Sequence, residues 1–115
     1  MAHNAGASLR LGIPEDKFEA VREYRTSPLF TEAERTAIEF TVAASSQPNG
    51  VTDELFERMK PHWTEGQIVE ITGVIALFGF LNRWNDTLAT TLEDRAVTVA
   101  QRAIGAIGWV PGKHR

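Results

Sequence analysis

The sequence predicts an all-α fold, on three observations. Apolar residues recur at helical spacing in nearly every segment, two capping boxes open helices, and no segment makes a convincing strand. The expected architecture is a helical bundle of about five helices with one long buried helix near 65–88. Residues 1–108 form the domain and 109–115 a tail. At 115 residues the chain is long enough to bury about two thirds of its unfolded surface in one core.

The first helix is expected to end near Leu11, because Gly12 suits the position just past a helix and Pro14-Glu15-Asp16 opens the next. Its beginning is missing: Met1 to Arg10 offers no capping Ser, Thr or Asp ahead of the apolar positions and no acidic first turn. The expectation is therefore an N-terminally shortened domain. After Pro14, Phe18, Val21 and Tyr24 mark a short, peripheral amphipathic helix that Arg25-Thr26-Ser27-Pro28 interrupts.

Thr31-Glu32-Ala33-Glu34 is a capping box. The helix behind it is expected to present Ala37, Ile38, Thr41, Val42 and Ser45 as its apolar face, until Gln47-Pro48-Asn49-Gly50 stops it. Thr52 caps a short helix with Asp53 and Glu54 in its positive first turn and Leu55, Phe56 and Met59 as anchors; Pro61 ends it. Thr64-Glu65-Gly66-Gln67, a second capping box, opens the longest element, predicted from Glu65 to about Leu88.

Between Ile68 and Leu81 that helix is apolar on every side, which is the pattern of a helix inside a domain or between subunits. Gly73 and Gly79 each cost a helix roughly 1 kcal/mol against alanine, an expense consistent with a neighbouring backbone passing close by. The run is fourteen residues and contains Glu70, short of the roughly 20 apolar residues of a membrane span. The last helix, about Glu93 to Ile107, sets Ala96, Val97, Ala100, Ala103, Ile104 and Ile107 on one face, and Trp109 in the tail is placed to dock.

A formal charge of −3 leaves no basic footprint for nucleic acid, and Lys113-His114-Arg115 reads as a solvated tail. There is no secretory signal pattern, so a cytoplasmic location is expected. With no cysteine among the 115 residues, disulfides, thiolate metal sites and thiol catalysis are excluded within this chain. His62 has no ligand-type neighbour at helical spacing, and neither a metal nor a cofactor is expected. Ser45-Ser46 has no adjacent base and suits a helix end.

Chemistry is best sought where the apolar helix ends, at Asn82-Arg83-Trp84-Asn85-Asp86. Asn82 and Asp86 lie four apart on one face, and Arg83 can pair with Asp86. Asn82, Arg83, Asn85 and Asp86 thus form either a solvated helix end with a weak ion pair or a polar patch lining a pocket or interface.

The segments PEDKFEAVREYRTSPLFTEAERTAIEFTVAAS and VTDELFERMKPHWTEGQIVEITGVIALFGFLNRWNDTLATTLE resemble the carboxymuconolactone decarboxylase and AhpD-type alkylhydroperoxidase family. The likeness covers roughly residues 1–93. It is most distinctive at Ser27 to Arg35, at Val51-Thr52-Asp53, and from Glu70 through Asn82-Arg83 to Asn85-Asp86. It implies a helical subunit that assembles with copies of itself, as a dimer, trimer or hexamer. It also implies a thiol-dependent peroxidase with an antioxidant role, taking a peroxide substrate and a dithiol reductant in a full-length form.

Peroxidatic members carry Cys-x-x-Cys at a helix start, where the positive helix end lowers a thiolate's pKa. Counting back from Gly12 puts the second cysteine of that pattern just before Met1. Asn4, with His3 beside it, then stands one turn on, where many members have a proton-relay histidine; these two are the candidate catalytic residues. Without the cysteine pair the expectation is an inactive chain. The alternatives are a non-catalytic oligomeric scaffold or small-ligand binder, and a cofactor-free lactone decarboxylase.

Overall fold

The computed structural model describes residues 7, 8 and 10–115, and among these there are helices and turns and no strand. The α-helices are α1 (Glu15–Glu19), α2 (Glu32–Ala44), α3 (Asp53–Met59), α4 (Glu65–Leu88) and α5 (Asp94–Ile104), with 3-10 turns at Ala20–Glu23, Gly105–Ile107 and Gly112–His114. The chain divides into two compact units. One is Phe30–Trp84; the other consists of Met1–Leu29 and Asn85–Arg115.

In the unit Phe30–Trp84, local chemistry sets each helix start. The Thr31 hydroxyl accepts from the Glu34 amide at 3.2 Å while the Glu34 carboxylate accepts from the Thr31 amide at 2.9 Å. The same reciprocal pair forms between Thr64 and Gln67, at 2.9 and 3.2 Å. Thr52 caps α3 by accepting from the Leu55 amide. The turn behind α2 is held by the Gly50 amide on the Ala43 carbonyl and by the Asn49 side chain, which accepts from the Val51 amide.

These starts aim one side of each helix inward, and Phe40, Leu55, Met59 and Ile68 close into a core flanked by Ala43, Ala44, Trp63, Ile71 and Ile75. Each such burial contributes about 1.5–3 kcal/mol. Phe56 packs edge-on against Phe40 with ring centroids 6.0 Å apart. Trp63 donates its indole N–H to the Ala33 carbonyl at 3.0 Å, and Arg58 makes two bonds to the Glu39 carboxylate, so α3 and its turn are fastened to α2 by polar contacts as well.

The inward side of α2 differs from the expected face. Thr36 and Phe40 are its buried residues, whereas Val42 is exposed. Thr36, Phe40, Ala43 and Ala44 share a side roughly opposite that of Ile38, Val42 and Ser45. That side is the one packed by Leu55 and Met59 of α3 and Ile68 of α4, so the neighbours decide which face of α2 is covered.

In the second unit, a helical stretch closes at Gly12 (φ 83°) as the sequence predicts, with the Ile13 amide reaching the Ser8 carbonyl. Ala100, Ala103 and Ile104 of α5 form the core, packed by Phe18, Leu92, Ala96, Ile107 and Trp109. The segment after Pro14 is therefore not peripheral: Phe18 joins this core, and Tyr24 is buried. The helix expected over 93–107 tightens into a 3-10 turn at Gly105 and ends at left-handed Gly108 (φ 84°).

α4 occupies the bounds that the sequence predicts, Glu65–Leu88, yet it is not a buried helix within this chain. Ile68 is its one buried residue among those described. Val69 is 70% exposed, Phe80 60% and Leu88 58%. In the unit Phe30–Trp84, α2 and α3 cover only the side that carries Ile68, Ile71 and Ile75. Among the described residues no neighbouring backbone approaches Gly73 or Gly79 either: outside the helix's own backbone, nothing lies within 4 Å of a Cβ placed there. No helix of the described residues is long and apolar enough to cross a membrane.

Candidate functional site

The polar end of α4 arises where the apolar pattern stops. Asn82, Arg83, Asn85 and Asp86 are all exposed. Asn82 and Arg83 belong to the unit Phe30–Trp84, and Arg83 makes no ion pair among the described residues. The expected Arg83–Asp86 pairing is replaced. Asp86 takes Lys113 at 3.1 Å and the His114 Nε2 at 3.6 Å.

In that second unit the helix end is locked by short-range bonds. The Thr90 hydroxyl donates to the Asn85 side-chain oxygen at 2.8 Å and the Thr90 amide donates to the Asn85 carbonyl. The turn between them uses Ala89 at a positive φ of 49°. The half-buried His114 sets its Nδ1 3.0 Å from the Thr90 carbonyl, and its own carbonyl accepts from the Leu92 amide at 2.7 Å. Lys113 and His114 are thus tied down rather than free in solvent. The hydrogen bond and charge of Lys113, with a smaller contribution from His114, hold the Asp86 carboxyl below its ordinary value.

Beside this lock runs an open groove of about 540 Å³ along the first turns of α5. Leu92 and Val97 give it an apolar floor, and Asp94, Thr98, Gln101 and Arg115 supply polar groups. The Thr98 hydroxyl is already engaged with the Asp94 carbonyl. The sequence pattern gives no sign of this groove, because its walls come from α5, the preceding loop and the chain end.

The candidate residues His3 and Asn4 lie outside the described residues. His62 is exposed, and Ser46 donates its hydroxyl to the Val42 carbonyl. Among the described residues no cluster of three or more His, Asp or Glu is placed to hold a metal ion.

No family model matches the chain. Over 73 residues, 64% of its length, it is 38% identical to the uncharacterized protein YnjA of Escherichia coli (strain K12), covering 40% of that protein. Its fold is similar to the crystal structure of the debrominase Bmp8, a cysteine-to-alanine variant in complex with 2,3,4-tribromopyrrole. The TM-score is 0.80 and the identity 30%, over 89% of this chain and 55% of that one. The chain therefore spans about half the length of the proteins it matches, and its all-helical frame is similar to that of an enzyme.

Proposed function

We propose that these residues are the helical frame of a thiol-dependent redox protein of the carboxymuconolactone decarboxylase and AhpD-like kind, and that by themselves they turn nothing over. The observation that carries this reading is the 30% identity to a debrominase over 89% of the chain at a TM-score of 0.80. The absence of cysteine supports its second half.

In peroxide reduction of this type a thiolate attacks the terminal peroxide oxygen, the O–O bond breaks, and the alkoxide leaves with a proton. The sulfenic acid then condenses with a second thiol, giving a disulfide and water, and a dithiol reduces the disulfide again. Every one of those sulfurs has to come from outside these 115 residues. In this reading His3 and Asn4 are the residues of this sequence that correspond to the place of a proton relay. Halogenated pyrroles, one of which is bound in the debrominase structure, are the second substrate class to assay.

The test is dithiothreitol-dependent consumption of hydrogen peroxide, an alkyl hydroperoxide or 2,3,4-tribromopyrrole. The cysteine-free chain is expected to add nothing to the rate with reductant alone. The same chain with a Cys-x-x-Cys segment joined ahead of Met1 is expected to gain turnover. Robust turnover by the cysteine-free chain refutes the proposal. A second reading, a non-catalytic helical scaffold, is favoured by the uncovered apolar length of α4; it predicts no gain from the added cysteines.

A further inference from the structure

The turn between α2 and α3 holds a pair of residues suited to spontaneous chemistry, Asn49 followed by Gly50. The backbone nitrogen that follows an asparagine can attack its side-chain carboxamide, and glycine, with no Cβ, crowds that attack least. Asn4, Asn82 and Asn85 are followed by Ala5, Arg83 and Asp86, each of which places a side chain beside the attacking nitrogen. Asn49 and Gly50 are both exposed, so water reaches them.

The folded turn engages each group that the attack needs. The Gly50 N–H donates to the Ala43 carbonyl at 2.9 Å. The Asn49 Oδ1 accepts from the Val51 amide at 3.0 Å, and its Nδ2 donates to the Ala44 carbonyl at 3.4 Å. To react, the Gly50 nitrogen has to leave Ala43 and lose its proton, and the carboxamide has to turn away from Val51 and Ala44. Such bonds are weak one at a time, but here they hold both reacting groups together. They also stand on the core in which Phe40 of α2 meets Leu55 and Met59 of α3, which fixes the two ends of the turn.

We propose that Asn49 is a site of spontaneous deamidation that the folded turn keeps shut, so that conversion there records the opening of the turn between α2 and α3. The Gly50 nitrogen bonds to the Asn49 Cγ, the bond from Cγ to Nδ2 breaks, and the displaced proton leaves with the ammonia. Water then opens the cyclic imide at either carbonyl, giving aspartate or isoaspartate at this position. In isoaspartate the main chain runs through Cβ and Cγ and is longer by an atom. A converted turn therefore no longer matches the spacing that brings the Gly50 amide to the Ala43 carbonyl.

The experiment holds the full 115-residue chain at neutral pH, in buffer and in guanidinium chloride. Peptide mass spectrometry maps conversion of asparagine to acid and to isoaspartate, and NMR follows hydrogen exchange at the Gly50 amide. In denaturant, conversion at Asn49 is expected to outrun that at Asn82 and Asn85. It is also expected to exceed its own rate in buffer by about tenfold or more, the factor that about 1.4 kcal/mol of closure supplies. The Gly50 amide is expected to exchange at least about tenfold more slowly in buffer than in denaturant. Leu55→Ala, which weakens the core beneath the turn, should raise the rate in buffer several-fold while circular dichroism still shows helices. Equal conversion rates in buffer and denaturant overturn the proposal, as does a Gly50 amide that exchanges equally fast in both. Conversion that appears first at Asn82 or Asn85 in denaturant, or a destabilised Leu55→Ala chain that converts no faster, overturns it equally. No turnover enters this test, so its outcome is independent of the redox reading.

Discussion

α4 is apolar on every side over much of its length and α5 on one side only, and the two differ in what they bury. α5 has 11 residues and buries four of them, Val97, Ala100, Ala103 and Ile104. α4 has 24 residues and buries Ile68. Its apolar residues are more numerous but spread around the axis, while those of α5 lie on one stripe. The stripe lets a small core cover nearly all the apolar surface of α5. A helix that is apolar all round needs cover on every side, and one unit provides it on one side only.

Truncating the interior of α5 gives the largest expected effect. Ile104 is fully buried, so Ile104→Ala should cost about 2–5 kcal/mol through lost transfer energy and a cavity, read as a lower urea midpoint. A loss under about 1 kcal/mol would mean that the α5 core does not hold its unit together. α4 should respond in the other direction at Gly79, where nothing among the described residues outside the helix's own backbone lies within 4 Å of an added Cβ. Gly79→Ala should stabilise the chain by about 0.5–1 kcal/mol, since alanine restricts the unfolded chain and favours the helix. A destabilisation there would reveal a close neighbour.

Smaller still is Leu77→Ala. Folding stability should change by no more than about 0.5 kcal/mol, because the side chain is largely exposed and both residues favour helix. The contrast with Ile104→Ala is the sharpest measure of the difference between the two helices.

The smallest effect concerns the lock at the end of α4. The Asp86 carboxyl is held below its ordinary 3.8 by Lys113 and, to a lesser degree, His114. A depressed folded-state value means that the carboxylate stabilises the tie above the unfolded value, near pH 4, and that this is lost as pH falls through the folded value. Lys113→Ala should bring the carboxyl back toward 3.8, followed by its NMR shift during an acid titration. Because Asp86 is exposed, global stability should barely move.

Local features were legible in the sequence because few residues decide them. Each capping box needs four neighbours, and both form with the expected partners. The ends at Gly12 and Gly108 use the positive φ that glycine supplies most readily. The inward side of α2 was not legible: Phe40 wins it only once Leu55 and Met59 stand opposite. The partners of Asp86 were hidden for a related reason. Arg83 is close in sequence, but Lys113 and His114 reach the carboxylate because Leu92 and Thr90 hold the chain end in place.

The sequence by itself determined the all-helical class, the start and end of α4 and the absence of any thiol, since these follow from composition and from contacts within a turn or two. Only the tertiary structure decided which faces are covered. Burial depends on what stands opposite a side chain, and that is set by residues distant along the chain. The apolar length of α4 is written plainly in the sequence. That most of it lies uncovered in a single chain became visible only when the neighbours of Ile68 were in place.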